Sequence, residues 1–322
     1  MIAPLPLALL TVAVLAGGAF AVDRLADFRE AQAEAGHGPV GQLLDVDGTT
    51  VHALVQGEGP DLVLIHGASG NLRDFTFSLV TPLARDFRVI ALDRPGMGWT
   101  QSLGNYGESP REQARLLQRA TDQLGVQTPI VLGHSYGGAV SLAWALERPE
   151  ETAALVLLGA VTHPWPGGID LLYRINANPL GGALLPPLLT AVAPQSRVDS
   201  ALEAIFAPQP VPQGYGRQVG AGLTLRRDSL RANARQLAGL KAAVTEMSRH
   251  YDDLTMPAEL LHGEEDTIVG LTIHSEPLSR QMPDAVLTRM PGVGHMPHHA
   301  DPQAVIAAVY RAAERAGLRE NP

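Results

Sequence analysis

The sequence predicts an α/β fold: a mostly parallel, doubly wound sheet with a helical cap insertion and an N-terminal hydrophobic helix. Three observations predict it. Short, wholly apolar runs alternate with helical periods along most of the chain, as in parallel strands buried on both faces. The alternation is interrupted once, by about 65 residues from Thr162 to Arg226 with many prolines, glycines and short apolar clusters. From Met1 to Val22 there is no charged side chain.

Taken in order, residues 1–22 are long enough for a helix across a hydrocarbon core of about 30 Å, although Pro4, Pro6, Gly17 and Gly18 are poor helix formers. The reading is an uncleaved anchor in a bacterial inner membrane, side undetermined. The alternative is export, with cleavage at the small-x-small site Ala19-Phe20-Ala21, although the usual basic residue near Met1 is missing. Residues 23–40 read as a polar helical stalk. Gln42 to Val46 and Val51 to Val55 flank Asp47-Gly48, a hairpin signal. Buried strands follow at Asp61–Ile65, Phe87–Leu92, Pro129–Leu132 and Ala153–Leu158, with helical periods clearest at Pro110–Leu124 and Gly138–Ala145. These elements make residues 41–161 the first part of the core. Residues 162–226 are expected to form the cap, over the edge where open α/β sheets bind ligands. Residues 227–318 complete the core with a helix from Asp228 to Tyr251, strands at Ala258–Leu261 and Ala285–Met290, and a closing helix from Pro302 to Ala316.

Composition narrows the function. The 322 residues include 33 acidic and 24 basic side chains, a net charge of -9, and no cysteine. A disulfide framework, a zinc–cysteine site and a thiol nucleophile are thereby excluded. An acidic body also argues against nucleic acid as a partner.

Gly133-His134-Ser135-Tyr136-Gly137 is a G-x-S-x-G pentapeptide directly after a buried strand and before a helix. A serine on such a tight turn needs small neighbours two positions away, and it stands at a helix N-terminus whose N–H groups can stabilise a developing oxyanion. Its hydroxyl needs a base, and the base an orienting acid. Asp266, after the penultimate strand, and His295, after the last, stand in the order that this architecture uses. Glu264 and Glu265 are competing acids. His298 and His299 compete with His295, and a His-x-x-His-His cluster can ligate metal, but only His295 has the glycine-flanked position. No metal and no cofactor are expected.

With these motifs the sequence resembles the α/β-hydrolase superfamily, in its capped, serine-nucleophile, esterase- or lipase-like branch, from about residue 41 to 317. The resemblance implies Ser135 as nucleophile, His295 as general base and acid, and Asp266 as its orienting carboxylate. It also implies an oxyanion hole from the backbone N–H groups of Ala68, in His66-Gly67-Ala68, and Tyr136. His66 is expected to be a structural hydrogen-bonder, Asn71 an N-cap, and the Asp93–Thr100 loop structural. Haloalkane dehalogenases and epoxide hydrolases of the superfamily carry aspartate at the nucleophile position, which disfavours those activities. What remains is hydrolysis of a small, apolar ester or thioester. The alternatives are a catalytically silent ligand-binding or scaffold member, or a carbon–carbon bond hydrolase or acyltransferase using the same triad. Trp165, Leu184 and Leu188 are expected to line the substrate site.

Overall fold

The computed structural model describes residues 4–104 and 108–319. Eight strands form one sheet in the order β1-β2-β4-β3-β5-β6-β7-β8. They are β1 (Gln42–Val46), β2 (Thr49–Gln56), β3 (Asp61–Ile65), β4 (Arg88–Leu92), β5 (Ile130–His134), β6 (Ala154–Leu158), β7 (Ala258–Gly263) and β8 (Ala285–Met290). β1 and β2 pair antiparallel, β2 runs antiparallel to β4, and all pairs from β4 to β8 are parallel. The hairpin turn places Asp47 at φ 52° and Gly48 at φ 80°, the left-handed pair that matches the twist of the flanking strands.

Alternate residues of each central strand enter opposite layers, so a wholly apolar strand serves two cores. Val63, Ile65 and Val131 pack with the helices Pro110–Gln123, Tyr136–Glu147 and Arg227–Met247. Leu62, Leu64 and Leu132 pack with Phe75, Leu83 and the helix Pro302–Arg315. Each fully buried side chain of this kind contributes roughly 1.5–3 kcal/mol. Helix Pro110–Gln123 opens with a complete capping box, Ser109 and Glu112 each bonding the other's backbone N–H, with Pro110 at the first position.

The interrupted stretch holds the helices Leu171–Ala177, Pro179–Val192 and Gln195–Phe206 and the short turns Tyr215–Gln218 and Ala221–Thr224. It is fastened over the loops that follow β3 and β8. Asn71 Nδ2 donates to Val219 O (2.8 Å), Thr224 Oγ1 to Ser69 O (2.8 Å) and Gln209 Nε2 to Gly292 O (2.6 Å). Asn71 is not the N-cap expected: Leu72 holds that position without a side-chain cap bond, and Asn71 Oδ1 instead accepts from Arg73 N at 3.0 Å while its amide clamps the insertion.

The N-terminal helix is one continuous element, Pro4–Gly36. Its segment Leu9–Gly36 is long and apolar enough to cross a membrane. Residues 23–36 are not a free stalk. Ala26 is fully buried, and Arg227 pairs with Asp23 (2.5 Å), Asp27 (2.6 Å) and Glu30 (2.7 Å). Arg226 pairs with Glu34 at 2.9 Å, and His37 Nε2 lies 2.7 Å from Arg217 O. The acids that make the segment look solvated recur at helical spacing, and together they neutralise an Arg-Arg pair at the junction of the insertion and the core helix that follows it.

Candidate active site

Ser135 follows β5 with φ 53° and ψ -117°, a positive φ that costs strain in a non-glycine residue. Its N–H donates to Leu158 O at 2.9 Å and its carbonyl accepts from Gly138 N and Val161 N. The turn tolerates no side chains beside it. A Cβ on Gly137 would lie 2.1 Å from Ile65 O, and one on Gly133 would lie 2.4 Å from Gly137 O.

Three side chains from the ends of three strands meet there. His295 Nε2 lies 2.9 Å from Ser135 Oγ, and His295 Nδ1 lies 2.7 Å from Asp266 Oδ2. All three residues are buried. Asp266 Oδ1 accepts from Ile268 N (2.9 Å) and Val269 N (2.8 Å), and His262 Nε2 approaches Oδ2 at 3.3 Å. Burial alone would raise the Asp266 pKa; the bonds from His262, His295 and Val269 N–H outweigh it and hold the carboxyl well below its usual range. Glu264 and Glu265 are exposed.

The loop after β3 faces this group. A Cβ on Gly67 would come within 3.2 Å of Ser135 Cβ. Ser69 N donates to Asn233 Oδ1 (2.9 Å), whereas the N–H groups of Ala68 and Tyr136 have no acceptor among the described residues. His66 is structural as expected: its Nε2 accepts from Arg94 N at 3.0 Å. Burial, and then the Arg94 charge, lower its pKa to about 4. Arg94 is fully buried and bonds the carbonyls of His66 and Gly67 and the side chains of Gln113 and Gln236. The Asp93–Thr100 loop thus braces the segment beside Ser135.

Several histidines contribute in ways the sequence did not reveal. His134 Nε2 donates to His295 O (2.9 Å), and its ring lies 4.9 Å from that of His295 and 4.6 Å from that of His298. Burial and the neighbouring imidazoles push its pKa well down, so it is neutral. The nearest sequence signal was its place inside the pentapeptide. His298 Nε2 and His299 Nε2 donate to Asp74 (3.0 and 2.7 Å), as does Tyr215 Oη of the insertion (2.7 Å). Asp74, His298 and His299 set three potential metal-ligand atoms within 4.8 Å of one another; as they stand, the carboxylate accepts a hydrogen bond from each imidazole. Burial would raise the Asp74 pKa, but the two histidines drive it well down.

The expected lining residues separate. Trp165 is half-buried against the core, 6.3 Å from the His274 ring. His274 Nδ1 accepts from Thr162 N and His163 N at 3.2 Å. Leu184 and Leu188 lie elsewhere, exposed on an outward groove of about 640 Å³ that includes none of Ser135, Asp266 or His295. A leucine repeat at helical spacing reads the same whether it faces a site or solvent, and here it faces outward.

Residues 60–302 match the family model described as alpha/beta hydrolase fold. The chain belongs to that family. Over 121 residues it is 36% identical to the dihydrolipoyllysine-residue acetyltransferase component of an acetoin cleaving system from Cupriavidus necator, covering 37% of this chain and 32% of that one. It is 23% identical over 275 residues to haloalkane dehalogenase 2 of Mycobacterium tuberculosis, covering 80% and 90% of the two chains. Among solved structures it is similar to an esterase from Rhodococcus, with a TM-score of 0.65, 24% identity, and coverage of 85% and 98%.

Proposed function

We propose that this hydrolase cleaves a carboxylic ester or thioester through an acyl-enzyme on Ser135. The observation that carries the reading is the continuous relay from Asp266 through His295 to Ser135 Oγ, with the serine on a strained turn at a helix N-terminus. Asp266, held ionised, fixes the His295 tautomer with Nδ1–H toward itself and leaves Nε2 as the acceptor. His295 takes the Ser135 proton as Oγ attacks the carbonyl carbon. The oxyanion meets the N–H groups of Ala68 and Tyr136. His295 then protonates the leaving alcohol or thiol as the acyl bond to it breaks. Water, deprotonated by the same imidazole, attacks the acyl-enzyme, and the proton returns to Oγ as the acid departs.

A panel of p-nitrophenyl esters and acyl thioesters of increasing chain length, run against the native chain and Ser135→Ala, tests the proposal. Turnover of the shorter esters, abolished by the substitution, is expected; turnover unchanged in Ser135→Ala overturns the assignment.

The reading includes a membrane tether through residues 4–22. It rests on a helix long and apolar enough to span a bilayer, followed by a segment held by Arg226 at the end of the insertion and by Arg227 at the start of the next helix. Full-length chain should stay with membranes through alkaline extraction. Release with residues 1–22 intact contradicts the tether, and a mature N-terminus near Ala21 indicates export instead.

A further inference from the structure

The helix Pro179–Val192 is inside out. Its small or polar residues Gly182, Pro186, Thr190 and Ala191 are buried, with Arg231 Nε donating to Gly182 O (2.7 Å) and Thr190 Oγ1 to Leu225 O (2.6 Å). Its large apolar residues recur every four positions on the opposite face: Leu180, Leu184, Leu188 and Val192 are 70, 68, 45 and 52% exposed. Leu171 and Ile175 of the preceding helix, also exposed, border the same groove, together with Arg174. An amphipathic helix ordinarily turns its apolar stripe to the core, and a contiguous exposed stripe of this kind marks a binding surface.

Its neighbour indicates the occupant. Helix Pro179–Val192 packs beside the N-terminal helix, where Arg29 Nη1 donates to Ala193 O (3.1 Å). Residues 9–21 of the N-terminal helix are exposed, Leu9, Val14 and Phe20 among them, with no charge before Asp23. At 1.5 Å per residue, residues 4–22 reach about 28 Å, close to the thickness of a hydrocarbon core. A protein bound to the leucine stripe would leave this length in water. One apolar phase covers both.

We infer that the outward face of helices Leu171–Ala177 and Pro179–Val192 lies in the bilayer interface, with its leucines among the acyl chains and Arg174 at the headgroups. The inference deepens the tether reading and rests on it. It brings the insertion, and the loops fastened beneath it, to the surface where apolar esters concentrate.

The chain has no cysteine, so single cysteines can be labelled with an environment-sensitive fluorophore. Full-length Val14→Cys, Leu184→Cys, Leu188→Cys and Val286→Cys would be reconstituted into phosphatidylcholine vesicles containing nitroxide lipids. Val286 is an exposed position on β8 and serves as the aqueous control; a melting temperature for each variant checks the fold. Labels at 184 and 188 should shift to the blue and lose emission to the nitroxides, as the label at 14 does, while the label at 286 does neither. Quenching at 14 with 184 and 188 behaving like 286 overturns the inference and leaves the tether standing. No quenching at 14 overturns both. Cross-linking between Leu184→Cys copies, with no lipid quenching there, assigns the stripe to a second copy of the chain and likewise overturns the inference.

Discussion

At the C-terminal edge of the sheet, Ser135, His295 and Asp266 are buried and hydrogen-bonded to one another. On the insertion's outer face the opposite holds: leucines stand in solvent while glycine, proline and threonine are packed inward. The first arrangement suits chemistry, since a relay between 2.7 and 2.9 Å depends on strand ends fixed by a two-faced core. The second suits contact with something else, because the apolar side chains do little for the fold that carries them. On the proposed reading, rigidity belongs to the scaffold and contact with the bilayer to the insertion.

That contrast predicts which substitutions stop the reaction and which disturb only the docking of parts. Ser135→Ala should lower ester turnover by a factor on the order of 10⁴ or more without altering the melting temperature beyond a few degrees. Asp266→Asn should cost a factor of roughly 10³–10⁴ in kcat, because the amide can fix the wrong His295 tautomer. A near-native kcat in Asp266→Asn would mean that the carboxylate does not orient the base.

Asp74→Asn attacks the joint between the two regions. It withdraws a buried charge from His298, His299 and Tyr215 and should destabilise the fold by about 2–4 kcal/mol in urea titration. A change under about 0.5 kcal/mol would show that the joint is dispensable.

Proton uptake adds an effect graded with pH. His66 and His274 are lowered to about 4 by burial, in His274 aided by His262 and His163, and the unfolded chain titrates near 6.5. Between those values the unfolded state binds more protons, so stability falls as pH drops from about 6.5 towards 4. The slope is on the order of 2 kcal/mol per pH unit, and the contribution is fully present above 6.5. Melting temperatures flat from pH 7 to 5 would contradict the burial of these rings. Arg227→Ala, which removes three of the ion pairs that hold the N-terminal helix, should have the least effect, about 1 kcal/mol. Its mark should be faster amide exchange in residues 23–36 with ester turnover retained.

Much of this was legible in the sequence, because strands buried on both faces are written as unbroken apolar runs. β3 ends where its apolar run ends, and Ser135 follows a strand of the same kind, whereas β8, an edge strand reading Ala-Val-Leu-Thr-Arg-Met, is only partly buried and was legible from its length and the glycines after it. Residue pattern was silent where partners are distant in the chain. Asp74 meets His298 and His299 across more than 220 residues, and His134 reaches a carbonyl 161 residues away. The docked stalk did leave a trace, since Asp23, Asp27, Glu30 and Glu34 recur at helical spacing and Arg226-Arg227 is a matching basic pair. Leu184 and Leu188 show the opposite failure, a clear stripe whose direction only the packing could decide.

The central claim is that Ser135 carries the acyl group. Acid quenching during steady-state turnover of p-nitrophenyl butyrate, followed by peptide mass spectrometry, tests it most directly. A butyryl adduct on the peptide containing Ser135, absent from Ser135→Ala, is the predicted result. Steady turnover with the adduct on another residue, or hydrolysis persisting in Ser135→Ala, would contradict it.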